Sequence, residues 1–173
     1  NRGFVLVHQQ LAHERILYER LITASAGKAV PYQTSLFPVT LQLSTQDAIL
    51  LTELLGDLLQ LGYLVEPFGK DSFVIQGTPA DLEQGNEKAV IENLVEQFKH
   101  LSNELKFSKR EKLGRSLATQ QAVKTGTQLT DKEMFVLVKD LFACSQPGIT
   151  ASGSPTYVEF KKDYMEQMFK RTV

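Results

Sequence analysis

Apolar residues along the chain fall into short runs of two periods. Phe4-Val5-Leu6-Val7 is continuously apolar between Gly3 and the polar His8-Gln9-Gln10, the pattern of a buried strand. From Leu11 the apolar positions Leu11, Ile16, Leu17, Leu21 and Ile22 follow roughly helical spacing, which predicts a helix over 11–25. Residues 26–31 read as a linker. Phe37, Val39, Leu41 and Leu43 then alternate with Pro38, Thr40 and Gln42, which predicts a half-buried strand with Phe37 on its inner face. Ser44-Thr45-Gln46-Asp47 has the form of an N-cap with an acid three residues on. The leucine-rich stretch behind it runs to Leu61 and stops at Gly62, a natural helix end.

The second half continues in the same style. Segments 63–68 and 73–75 predict a hairpin turning at Gly69-Lys70-Asp71 and closed by Gly77 and Pro79. Val90, Ile91, Leu94, Val95 and Phe98 mark an amphipathic helix, and a further helix is expected over 108–124. Thr130-Asp131-Lys132-Glu133 is a capping-box pattern opening a helix to about Ala143. After the glycine- and proline-containing loop 145–155, residues 156–160 read as a strand, and Tyr164, Met168 and Phe169 mark a last short helix. Strands at the two ends of the chain and strands in its middle imply an α+β fold with a discontinuous first subdomain, small mixed sheets packing with helices. Asn1-Arg2-Gly3 resembles the second half of a hairpin turn, which leads us to expect a strand upstream.

Composition narrows the function more than the fold. The 173 residues are 42% hydrophobic and 23% charged, ordinary for a core-forming protein. The longest apolar stretch, 48–65, is interrupted by Glu53, Asp57 and Gln60, so no membrane contact is expected. No secretory pattern is present at the start, and Cys144 is the single cysteine. An intrachain disulfide is therefore impossible, and a cytoplasmic location is expected. Cys144, at the end of an apolar helix, reads as a buried structural thiol. A net charge of -1 gives no global attraction to nucleic acid, so a DNA contact would be local and weak. The candidate for it is the basic run Lys106, Lys109, Arg110, Lys112 and Arg115, for which a solvated helix face is the plainer reading.

Catalytic motifs are scarce. There is no Gly-x-Ser-x-Gly elbow and no phosphate-binding glycine loop, so neither a serine nucleophile nor a bound nucleotide is indicated, and no cofactor is expected. The densest polar cluster is His8-Gln9-Gln10-Leu11-Ala12-His13-Glu14, followed by Glu19. Imidazole and carboxylate are usual zinc ligands, but neighbours such as His13 and Glu14 point about 100° apart on a helix. No His-x-x-x-His or His-x-x-Glu pair places two ligands on one face there. A metal is not expected.

The string at 8–19, His-Gln-Gln-Leu-Ala-His-Glu-Arg-Ile-Leu-Tyr-Glu, resembles the C-terminal domain of the MutL family of DNA mismatch-repair proteins. In endonuclease members of that family the string opens Asp-Gln-His-Ala and keeps two later glutamates, here Glu14 and Glu19. This chain has His8 in place of the aspartate, Gln10 in place of the histidine and Leu11 in place of the first alanine. A family Ala-Cys-Arg motif corresponds to Ala118-Thr119-Gln120, and a Cys-Pro-His-Gly-Arg-Pro motif to the segment from Thr150 through Ser152 to Pro155. The terminal Phe-x-Arg is kept as Phe169-Lys170-Arg171. Of the metal-holding positions only Glu14 keeps a competent ligand, so the resemblance implies a domain that has lost the nuclease. It also implies homodimerisation, cooperation with other mismatch-repair proteins including a separate incision enzyme, and two subdomains. The internal, dimerising one would comprise 1–32 with 109–173, and the external one 33–108. The competing readings are a metal-dependent nicking endonuclease with a degenerate site built on His8, His13 and Glu14, and a generic ligand-binding domain.

Gln33-Thr34-Ser35-Leu36-Phe37 gains meaning from the same resemblance. Gln-x-Ser-Leu-Phe resembles the motif by which many bacterial repair and replication proteins hold the sliding clamp of the replicative polymerase. MutL relatives carry Gln-x-x-Leu-x-Pro here, and Gln33, Leu36 and Pro38 satisfy both patterns. An extended segment of this kind inserts Leu and Phe into an apolar pocket while the Gln amide hydrogen-bonds at its rim. Its plainer alternative is core packing of Phe37 beside Val39, Leu41 and Leu43.

Overall fold

The computed structural model describes residues 3–25, 30–80, 85–101 and 107–169. In chain order its elements are β1 Gly3–Val7, α1 Gln9–Ser25, β2 Tyr32–Gln42, α2 Thr45–Gln60, β3 Leu64–Pro67, β4 Ser72–Pro79 and α3 Glu87–Leu101. They continue with α4 Lys109–Gln121, α5 Asp131–Ala143, β5 Tyr157–Lys161 and α6 Lys162–Phe169. The fold is α+β, with two small antiparallel sheets. Contacts divide the chain into two compact units, Asn1–Glu19 with Gln121–Val173, and Arg20–Gln120.

The second unit holds the larger core. Its sheet has the order β2-β4-β3, leaving β2 at an edge. Helix α2 forms where the sequence places it: the Ser44 side chain accepts a hydrogen bond from the Asp47 N–H, satisfying one of the unpaired donors of the first turn. Beyond the helix, Gly62 adopts φ 85°, a left-handed conformation that a Cβ disfavours. Ala48, Leu51, Leu54 and Leu58 line one face of α2 and are buried. They pack with Leu41, Phe73 and Ile75 of the sheet, with Ile91 and Leu94 of α3, and with Leu113 and Leu117 of α4. Between β3 and β4 the chain turns through Gly69 and Asp71, both at positive φ.

The first unit is built on the β1–β5 ribbon, in which Gly3 pairs with Lys161 and Val7 with Tyr157. Gly3 has no room for a side chain, since a Cβ there would stand 2.5 Å from the Phe160 carbonyl oxygen. The expectation of a buried first strand is corrected: Phe4 is 52% and Leu6 61% exposed. Pairing with β5 covers an edge of β1 and neither of its faces, so the ribbon by itself does not bury a continuous apolar run. Under the ribbon, Ala12, Ile16 and Leu141 form a small buried cluster joined by Val7, Leu137, Cys144 and Tyr157. Cys144 is half-buried rather than buried, and its thiol donates to the Asp140 carbonyl at 3.4 Å. Helix α5 opens on the expected capping box, with the Thr130 hydroxyl accepting from the Glu133 N–H and the Glu133 carboxylate accepting from the Thr130 N–H. Helix α4 ends at Gln121, short of the expected 124, and Val123, Thr125 and Thr127 beyond it hydrogen-bond instead to His13, Gln10 and Gln9 at the start of α1.

Candidate partner-binding segment and the polar strand-helix junction

The pentapeptide lies on the edge strand β2, in the middle of an interruption of its ladder. Thr34 pairs with Gly77 and Val39 with Ile75, so residues 35–38 lie opposite the single residue Gln76. This is an enlarged β-bulge, and it bows the segment away from the ladder. Leu36 is 88% and Phe37 83% exposed. The expected inward register of Phe37 is thus corrected, because the surplus residues of the bulge reset the alternation. Leu41 is buried, Val39 and Leu43 are half-buried, and Phe37 is not part of that face. Pro38 fits the bulge, where the missing N–H forfeits no ladder bond. The Ser35 hydroxyl closes a turn on Phe37, donating to its carbonyl at 2.9 Å and accepting from its N–H at 3.2 Å. Gln33 remains on the ladder opposite Thr78.

The junction between β1 and α1 is a network of hydrogen bonds. His8 donates its N–H to the Thr156 carbonyl at 2.8 Å, and its Nδ1 accepts from the Leu11 N–H at 3.3 Å, a side-chain cap on the first turn. Gln9 Nε2 donates to the Thr127 carbonyl at 2.8 Å, and the Thr125 hydroxyl donates to Gln10 Oε1 at 2.7 Å. His13 Nδ1 accepts from the Val123 N–H at 3.0 Å. The first turns of α1 thereby hold the loop 122–127. Replacing His13 with alanine is expected to cost about 1 kcal/mol and to speed hydrogen exchange at the Val123 amide. Thermal melts paired with amide exchange check this.

Glu14 and Arg15 are buried on the same helix. The Ser152 hydroxyl is 3.5 Å from Glu14 Oε1 and 2.9 Å from the Thr150 hydroxyl. Arg15 binds Glu19 at 2.7 Å, and Glu19 also accepts from the Ser145 N–H at 2.6 Å and its hydroxyl at 3.0 Å. Burial alone would raise the Glu19 carboxyl, but the Ser145 N–H, Arg15 and the Ser145 hydroxyl together hold it below its ordinary value. Among the described residues no three His, Cys, Asp or Glu side chains converge on one point. The described donors do not fit a zinc or two-metal centre, which needs at least three protein ligands at bonding distance. Thr119 stands exposed on α4, in the second unit. Phe169 is exposed, and Lys170 and Arg171 lie outside the described residues.

The basic run does not form one open face. Lys106 is outside the described residues. Lys109 lies 3.4 Å from the Glu53 carboxylate, Arg110 reaches Asp57 at 4.0 Å and donates to Gln60, and Lys112 is buried. The Arg115 guanidinium sits 4.4 Å from the centre of the Phe107 ring.

The sequence reading did not single out the exposed side of α5. Met134, Phe135, Val136, Val138 and Phe142 all face outward, with Phe135 70% exposed. Its signal was available: Met134 to Val138 is apolar without a break, more than one helical stripe can bury. In the same unit Phe4 stacks on Phe160 with ring centres 4.8 Å apart, and Leu6 and Val158 are exposed beside them. Scattered exposed hydrophobics are ordinary on a protein surface, whereas here many of the exposed large apolar side chains belong to one unit.

Comparison with known proteins bears on that surface. The family model described as the MutL C terminal dimerisation domain matches residues 1–129. The chain belongs to this family. Among MutL relatives, it is similar to the DNA mismatch repair protein MutL of Chlorobaculum parvum, 33% identical over 171 residues that cover 98% of this chain and 27% of that protein. It is likewise similar to the MutL of Flavobacterium psychrophilum, 33% identical over 167 residues, 96% of this chain and 27% of that protein. The chain thus spans about a quarter of the length of the curated MutL relatives it matches. No described helix is long and apolar enough to cross a membrane.

Proposed function

We propose that this domain joins two copies of a mismatch-repair MutL protein and recruits the sliding clamp of the replicative polymerase, without cutting DNA itself. The observation that carries the reading is the open apolar surface of the first unit, Phe135 and Leu6 above all, in a family described by dimerisation. Its test is the mass in solution: light scattering is expected to give twice the 19.4 kDa chain mass at micromolar concentration. A monomer at every concentration removes the proposal. In the proposed division, residues 1–32 with 109–173 dimerise and residues 33–108 carry the clamp contact.

Clamp recruitment rests on a separate observation, the exposure of Leu36 and Phe37 in the bulge. Two large apolar side chains held in water on an edge strand fit an apolar partner pocket. The double variant Leu36→Ala/Phe37→Ala is expected to lose at least about tenfold in clamp affinity, two anchors together exceeding roughly 1.4 kcal/mol. Its melting temperature should stay put, because neither side chain is in the core. Titration of a labelled clamp checks this, and unchanged affinity in the folded variant rejects clamp binding.

The proposal of a domain without nuclease activity is supported by the junction, where His8, Gln9, Gln10 and His13 serve as caps and loop anchors. Nicking of plasmid DNA in manganese, abolished by Glu14→Ala, would instead establish the degenerate endonuclease. Contact with DNA is given a weak or indirect place, since Lys109 and Arg110 would have to exchange Glu53 and Asp57 for phosphates. Other mismatch-repair proteins, including a separate incision enzyme, complete the proposed set of partners.

A further inference from the structure

We propose that Ser35 is a positioning residue for the exposed Leu36-Phe37 pair: its hydroxyl fixes the bulge in the form that a partner pocket receives. This rests on the clamp reading above and adds to it how the segment is prepared before binding. Because residues 35–38 lie opposite Gln76 alone, the β2–β4 ladder does not restrain them one by one. A surplus of chain on an edge strand would sample many conformations, and ordering them on binding has an entropic cost.

Two local restraints limit that freedom. Ser35 Oγ accepts the Phe37 N–H at 3.2 Å and donates to the Phe37 carbonyl at 2.9 Å. Both main-chain polar groups of Phe37 are thus satisfied inside the turn, so no ladder bond has to break for the segment to stand out. On the other side Pro38 fixes its own φ at about -65° and biases Phe37 toward extended backbone. Leu36 lies at the apex between these restraints, and the two apolar side chains stay in water at 88% and 83% exposure. Alanine at 35 removes the hydroxyl and frees the turn, whereas threonine keeps a hydroxyl on the same carbon.

The test uses the whole chain and a labelled clamp. Ser35→Ala is expected to weaken binding roughly three- to tenfold, the range of one net hydrogen bond. It should also speed amide exchange at Phe37 in the free protein, with an unchanged melting temperature. Ser35→Thr is expected to restore both. Wild-type affinity in Ser35→Ala overturns the inference and leaves clamp binding intact. Weakened affinity with unaltered Phe37 exchange also overturns it, since Ser35 would then act by touching the clamp directly. Failure of threonine to restore either quantity counts against it equally. Absence of binding by the wild-type chain removes the clamp reading itself, and the inference with it.

Discussion

Replacing Glu19 with alanine is expected to destabilise the protein by about 3 kcal/mol at neutral pH, a large effect for a helix position outside the apolar core. The cause is Arg15. Its side chain is 7% exposed, and its Nε has no hydrogen-bond partner among the described residues, so Glu19 at 2.7 Å is the main compensation for a buried positive charge. The Ser145 hydroxyl, at 3.4 Å, is a poor substitute. Removing one partner of a buried pair strands the other, which typically costs about 3–5 kcal/mol. The Glu19 side chain is itself 24% exposed, which places the expectation at the lower end. Alanine also releases the Ser145 N–H, and with it the turn that follows α5.

The pH dependence of this effect has a definite sign. Glu19 is held below its ordinary value of 4.5 in the folded protein, despite burial, by Ser145 and Arg15. A carboxyl depressed by folding contributes stability in full above its unfolded value, and loses that contribution as pH falls through the folded value. The gap between wild type and Glu19→Gln is therefore expected to be complete at pH 7 and to narrow below pH 4.5. Urea unfolding at both ends of this range measures it. A gap of the same size in acid would show that packing, and not charge, sets the role of Glu19.

Local signals in the sequence located most elements because each one has a physical cause that needs no distant partner. Ser44 and Thr130 cap their helices as the spacing to Asp47 and Glu133 implies, and Gly62 takes the left-handed conformation that ends α2. Where the reading failed, tertiary context decided. Strict alternation with Val39, Leu41 and Leu43 puts Phe37 on the inner face, yet Pro38 inside the run is the sign of a bulge that breaks alternation. Glu19 was legible only as a motif position, because its partner Ser145 lies far along the chain. The basic run looked continuous in sequence, but Glu53, Asp57 and Phe107 occupy three of its members.

The expectation that Phe4 to Val7 is buried was overturned in the single chain, and the same residues then point to what covers them. A continuous apolar run suits a strand covered on both faces, and β1 in one copy is mostly exposed. Helix α5 repeats the pattern, with Leu141 its buried residue and Met134, Phe135, Val136 and Val138 outside. The buried hydrophobic cluster described in this unit consists of Ala12, Ile16 and Leu141, a small core for the elements it supports. A second copy of the chain would bury what the unit leaves open. Phe135→Glu is accordingly expected to weaken dimerisation by about 2–4 kcal/mol, roughly thirty- to several-hundredfold in Kd, because a charge would enter a dehydrated apolar contact. Light scattering should then find the 19.4 kDa monomer at concentrations where the wild type is paired. The Leu36→Ala/Phe37→Ala variant should remain a dimer and serve as the control. Association that supplies part of a core also makes stability depend on concentration, so the melting temperature of the wild type should rise with protein concentration and that of Phe135→Glu should not. A dimer of unchanged affinity in Phe135→Glu would move the interface away from α5, and the exposed faces of β1 and β5 would then have to hold it alone.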